Sequence, residues 1–236
     1  MSNQIMIEVD NLEKHFTLHN ADGAHIPVFQ NLDLSVGQGE CVVLAGVSGV
    51  GKSTLMRSIY GNYLPTGGSV RVRHKGEMID ITTAPPFQLL DIRRHTLGYV
   101  SQFLRVIPRI STMDLVMQPL LENGVDEDEA RERASEILEL LQLPRAHWDL
   151  PPATFSGGEQ QRVNIARSFA IDFDVLLLDE PTASLDAANR ERVIKLIERA
   201  LNRGTAMIGI FHDEDVRNVV ATRFFEVSKF AAHEPA

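Results

Sequence analysis

Only one of the 236 residues is a cysteine, Cys41, so no internal disulfide can form; this fits a reducing compartment. Its neighbours Val42, Val43 and Leu44 mark a buried strand, where a thiol packs as a small apolar group rather than reacting. Positive charge is also scarce. Against 32 Asp and Glu stand 23 Lys and Arg, and the net charge of −9 argues against a broad basic face for nucleic acid. No apolar run approaches the ~20 residues that a membrane-spanning helix needs. The opening Met1-Ser2-Asn3-Gln4 lacks the basic and apolar regions of a signal peptide. The expectation is a cytoplasmic chain without direct membrane insertion, whose membrane role, if any, comes through a partner. Repeats and low-complexity tails are missing too, and little sequence follows the last expected strand, so no added regulatory domain is expected. What is present is enough for a sizeable core: 44% hydrophobic and 23% charged residues.

The pattern of apolar residues changes along the chain. Ile5–Val9 and Val28–Val36 read as strands separated by a polar turn, His19 to His25. Cys41–Ala45 is a buried strand running into a glycine loop, and Lys52–Tyr60 continues as a helix. Gly67-Gly68 and Lys75-Gly76 bracket a strand at Val70–His74. From about Pro108 to Leu143 the spacing is helical, with Asp126 and Glu129 placed as a capping box. Pro144 stops that run, and a second amphipathic helix begins after Ser156 and reaches about Ile171. Strands at Val175–Leu178 and Ala206–Phe211 then alternate with helices at Ala187–Asn202 and Glu214–Ala221. Such alternation implies a parallel sheet covered on both faces.

The glycine loop reads Gly46-Val47-Ser48-Gly49-Val50-Gly51-Lys52-Ser53. A triphosphate needs many donors at close range. Gly46, Gly49 and Gly51 let the backbone curl so that the amides of the loop, Ser48 and Val50 among them, point inward. The helix that follows adds its positive end. Lys52 supplies charge for the β and γ phosphates, Ser53 a hydroxyl for Mg²⁺, and Thr54 a second phosphate contact. Asp179 would end a central strand, where ligands of open α/β sheets bind, and can hold Mg²⁺ through water. Glu180 can polarise the attacking water. Gln102, after Tyr99-Val100-Ser101, is a candidate Mg²⁺ or water ligand, and His212, past Ile208–Phe211, a candidate donor to the γ phosphate.

Ser156-Gly157-Gly158 begins a helix with a capping serine and two glycines that permit close approach, which makes a second anion site. The chain already has a phosphate loop. The second site is therefore expected to face the ATP of another molecule, so that two chains, head to tail, sandwich two ATPs. Ser184-Leu185-Asp186 fits as the crossing loop between sites, with Asp186 counted among the nucleotide-binding residues. Phe16 is the candidate for stacking on adenine, and His15 a weaker one.

Taken in order, these segments resemble the ATP-binding cassette (ABC) nucleotide-binding domain over almost the whole chain. The resemblance implies an α/β phosphate-loop NTPase with an antiparallel β lobe and an inserted helical lobe. Residues 1–90 and 172–236 would form the β lobe and core, and about 91–171 the mostly helical part. It implies ATP hydrolysis and ATP-driven closure of a dimer. By that match Gln102 is the lid glutamine, Ser156 to Gln160 the signature and His212 the switch histidine. Two residues depart from the commoner pattern: Glu159, where glutamine is more usual, and Ser184, where alanine is.

The flanks narrow the resemblance. Val100–Ser111, Val116–Leu121, Thr154–Arg167 and Gly209–Glu214 resemble the PhnL family, the L subunits of the bacterial carbon–phosphorus lyase (phosphonate) system. That resemblance implies a soluble ATPase serving the lyase core complex, dimerised with itself or with the K subunit, in the pathway that joins a phosphonate to the ribose of ATP. The alternative is the nucleotide-binding subunit of a membrane transporter similar to lipoprotein or macrolide exporters, which carry a similar polar turn before the core. Gln102 to Leu121 is where either kind of partner would meet the chain, with Phe103, Leu104, Val106 and Ile107 its apolar residues. A DNA-repair cassette ranks last, because long insertions are absent and the charge is negative.

Overall fold

Two sheets of opposite type share the chain. The computed structural model describes residues 4–18, 24–102, 104 and 109–232. The first sheet is antiparallel, ordered β2-β1-β4-β5, from β1 (Ile5–Leu18), β2 (Ala24–Gly37), β4 (Gly67–His74) and β5 (Glu77–Asp80). The second is parallel, ordered β6-β7-β8-β3-β9, from β3 (Cys41–Ala45), β6 (Leu97–Val100), β7 (Val175–Asp179), β8 (Ala206–Ile210) and β9 (Arg223–Glu226). Both opening strands are longer than their apolar runs predict, because β1 and β2 pair along their whole length through several bulges. Of the turn expected from His19 to His25, residues 19–23 lie outside the described residues, and Ala24 and His25 open β2.

The parallel sheet is the divider of the core. Alternate residues of one strand face opposite ways. Cys41, Val43, Leu176, Leu178 and Met207 face one apolar cluster, with the helices α3 (Thr112–Glu122), α4 (Glu127–Leu140), α5 (Gly157–Phe169) and α6 (Ala187–Arg203). Val42, Leu44, Val175, Leu177 and Ile208 face the other, with α1 (Lys52–Ile59) and the antiparallel sheet. Both faces of each strand must therefore be apolar, which is why Val175–Leu178 reads as a continuous run rather than an alternation. Each such side chain contributes about 1.5–3 kcal/mol by burial. Cys41 is fully buried, and burial, with Glu40 adding to it, pushes its thiol up to about 12, so it stays a packing group.

The helical stretch after Pro108 is two helices, the second starting at the expected cap Asp126, because the chain turns between Asn123 and Asp126. Two expectations do not hold in the fold. Asp126 caps α4, but it accepts from the Asp128 amide, not from Glu129, and Glu129 pairs with Arg133; no capping box forms there. The last strand is not the one ending at Ile210. A fifth parallel strand, β9, follows α7 (Glu214–Val220) and pairs with β3. Arg223-Phe224-Phe225-Glu226 is too short and mixed to stand out by periodicity. Among the described residues no helix is long and apolar enough to cross a membrane.

One polar cluster ties the antiparallel sheet to α2 (Pro86–His95). Asp91 accepts from Lys75 and from His74 Nε2 at 2.9 Å, and His95 Nε2 lies 3.1 Å from its other oxygen. Hydrogen bonds from Lys75 first and His74 second lower its carboxyl from 3.8 to about 2. A carboxylate whose native pKa is depressed contributes stability above its unfolded pKa and loses it as pH falls through the native one. Asp91→Asn should therefore lower the Tm at pH 6, and the gap from wild type should close between about pH 3.8 and pH 2. Melting curves across that range check this; a gap that stays constant with pH would rule out the ionised pair as its source.

Candidate functional site

The phosphate loop folds as the glycines require. Gly46, Gly49 and Gly51 all take positive φ, at 134°, 82° and 103°. At Gly51 a side chain is excluded twice, by that φ and by Val28, whose Cγ1 would lie 2.7 Å from an added Cβ. Lys52 at the start of α1 turns its Nζ back to the carbonyls of Gly46 (2.7 Å) and Val47 (2.9 Å). The lysine thus closes a ring over the loop. A cavity of about 170 Å³ opens there, lined by Ser48, Lys52, Ser53 and Thr54 on one side and by Glu180 and His212 on the other.

The carboxyl ends of β7 and β8 border that cavity through Glu180 and His212, and Gln102, just past β6, joins them through Glu180. Glu180 Oε2 accepts from Gln102 Nε2 at 2.8 Å, and Glu180 Oε1 lies 2.7 Å from His212 Nε2. The order β6-β7-β8 brings these residues together. Glu180 takes φ of 52°, a left-handed conformation costly for a side-chain-bearing residue. That break follows the end of β7 at Asp179. Glu180 is 17% exposed and His212 64%, so the imidazole is the freer partner.

Asp179 has a different environment. It is buried, and its Oδ2 accepts from the Tyr99 hydroxyl at 2.7 Å. Burial raises its pKa, Tyr99 opposes that, and Glu180 adds to it.

Ser156 caps α5 in a complete capping box. Its hydroxyl meets Glu159 Oε2 at 2.7 Å, and its amide donates to the same oxygen at 2.9 Å. Those bonds hold the Glu159 carboxyl below its usual range. Gly158 packs against the Ser184 carbonyl, 3.0 Å from where a Cβ would sit, so the helix start and the Ser184 loop abut within one chain. Asp186 caps α6, accepting from the Asn189 amide at 2.8 Å. Phe16 lies on β1, edge-on to Tyr63 (centroids 5.5 Å apart), with Lys14 Nζ 4.8 Å from its ring centre. His15 meets His25 edge-on. Of the segment expected to meet a partner, Leu104 is buried, while Phe103, Val106 and Ile107 lie outside the described residues.

Three residues went unmarked by sequence reasoning. Gln161 and Asn164, both buried on α5, donate to the Ser101 carbonyl at 3.4 and 2.6 Å, and Gln161 also to Pro181 at 3.2 Å. They fasten the helix begun by Ser156 to the backbone beside Gln102 and beyond Glu180. Polar side chains at apolar-facing helix positions were the available signal. Tyr99 is the third.

Residues 29–183 match the ABC transporter family. The chain is 33% identical over 224 residues to "ABC transporter ATP-binding protein YtrE" of Bacillus subtilis, covering 93% of this chain and 94% of that one. It is 38% identical over 198 residues to "Lipoprotein-releasing system ATP-binding protein LolD" of Hyphomonas neptunium, covering 84% of each. The bacterial ABC transporter cassette MJ0796, solved as a dimer, superposes with a TM-score of 0.84 at 29% identity, over 94% of this chain and 95% of that one. MJ0796 is also known in a post-hydrolysis dimer bound to ADP and Pi. The fold is the ABC nucleotide-binding fold, and the chain belongs to the ABC transporter family as an ATP-hydrolysing cassette.

Proposed function

We propose that this chain is the ATP-hydrolysing motor subunit of a membrane transporter, working as a head-to-tail pair of cassettes beside a permease. The observation that carries the ATPase part of this reading is the meeting of Gln102 and His212 on the carboxylate of Glu180, which with His212 lines the phosphate-loop cavity. The transporter part rests on the relatives, whose names describe transporter and lipoprotein-releasing ATP-binding proteins. A second cavity of about 440 Å³ fits a partner. It is lined mainly by residues of α2, β6 and α5, and Ser101, Leu104 and Pro119 bring it to the edge of the segment expected to meet one.

In this reading the loop amides and Lys52 bind the β and γ phosphates, and Ser156 with Gly157 and Gly158 meets the γ phosphate held by the other chain. Glu180 takes the proton of the attacking water. In the free chain both its oxygens are engaged, by Gln102 and His212. Arrival of the γ phosphate gives the imidazole a new acceptor and frees one oxygen for water. The donor set fits Mg²⁺: Ser53 offers a hydroxyl, Asp179 a carboxylate, and Gln102, whose amide nitrogen faces Glu180, its carbonyl oxygen. When bound, the ion neutralises charge on the phosphate oxygens. Phe16 would stack on adenine with the face opposite Lys14.

The phosphonate reading remains the second one, favoured by the flanking segments that resemble the L subunits. The relatives named above do not carry that name. Affinity capture of tagged Glu180→Gln chain with Mg-ATP, from cells starved of phosphate, separates the two. An integral membrane permease as the stoichiometric partner supports the transporter. Soluble lyase subunits, or the K subunit, would replace it with the phosphonate reading.

A further inference from the structure

Tyr99 pairs with Leu177 across the parallel β6–β7 ladder. Residues two apart on a strand share a face, so Tyr99, Leu177 and Asp179 lie on one side of the sheet. The phenol reaches along that face and donates to Asp179 Oδ2 at 2.7 Å. Its ring is held in place. Tyr60, at the end of α1, packs against it with centroids 5.0 Å apart, and the Arg93 guanidinium covers Tyr60 at 4.5 Å. Arg57 of α1 sits beside the phenol and donates to Tyr63 at 2.8 Å. The hydroxyl is thus fixed by α1, the same helix that carries Lys52 and Ser53 at its other end. A carboxylate at a strand tip can rotate about its Cβ–Cγ bond; one oxygen tied to a fixed donor sets the direction of the other.

We propose that Tyr99 is a positioning residue for Mg-ATP, holding one oxygen of Asp179 so that the other faces the phosphate-bound cation. This rests on the reading of Asp179 as the cation's carboxylate. A phenylalanine would fill the same space, so packing needs only the ring. The hydroxyl is what orients the carboxylate, and groups that orient a ligand from behind typically change metal affinity about tenfold or more.

The test uses the full chain and a fluorescent ATP analogue, titrated with Mg²⁺ and separately bound in excess EDTA. Tyr99→Phe should raise the Mg²⁺ concentration for half-maximal tightening about tenfold. Its affinity in EDTA should equal that of wild type, which also shows that the loop is folded. Asp179→Asn should abolish the Mg²⁺-dependent tightening. If Tyr99→Phe titrates as wild type while Asp179→Asn loses the effect, the hydroxyl has no positioning role and the Asp179 reading stands. If Asp179→Asn keeps the Mg²⁺ dependence, that reading falls and the Tyr99 role with it. An equal loss with and without Mg²⁺ in Tyr99→Phe makes the phenol a structural group only, and overturns the proposal.

Discussion

Glu180→Gln should slow ATP hydrolysis by at least about 100-fold while leaving ATP affinity near that of wild type. General base catalysis supplies roughly that much, and the change removes the proton acceptor without altering shape. The geometry sharpens the expectation. Glu180 accepts from Gln102 on one oxygen and faces His212 with the other. A glutamine keeps an acceptor end for Gln102 and offers a donor end that the neutral His212 imidazole can accept at Nε2, so both contacts can persist in the free chain. Retained nucleotide with blocked turnover should then trap the ATP-bound pair of cassettes. Single-turnover hydrolysis, equilibrium binding and light scattering with Mg-ATP measure the three parts. A normal rate would remove Glu180 from the base role, whatever the dimer does.

Lys52→Ala should cost about 100-fold or more in ATP affinity. Charged hydrogen bonds are worth about 1.5–3 kcal/mol each, and two of them correspond to roughly that loss. In the free chain the lysine spends its donors on the carbonyls of Gly46 and Val47. Those carbonyls are free to accept water when the side chain is gone, so stability should change little. The expected pattern is a large loss of nucleotide binding with a Tm near that of wild type. Isothermal titration with a melting curve reads both. Unchanged affinity would sink the phosphate-loop reading; a large fall in Tm would mean that the lysine serves the fold more than the ligand.

Several features are legible in the sequence because their chemistry is contiguous. Gly46 to Ser53 carries its own strand, turn and helix start. Asp179 and Glu180 follow directly on an apolar run. Ser156 lies three residues before Glu159, a spacing that permits the capping box found there. The same rule fails at Asp126, because spacing permits a box while the bond actually made depends on how the cap residue turns.

Periodicity tells which face of an element is apolar, not which element lies beside it. The sequence by itself therefore determined the glycine loop, the alternation of strands and helices, and the carboxylates at the end of β7. Tertiary structure alone decided that β6, β7 and β8 are neighbours, and so that Gln102 and His212, distant in sequence, meet the same carboxylate. It also decided the left-handed turn at Glu180, the strand β9 and the bond from Tyr99 to Asp179. The physical reason is the same in each case: these depend on long-range strand pairing, which leaves no periodic trace in either partner alone.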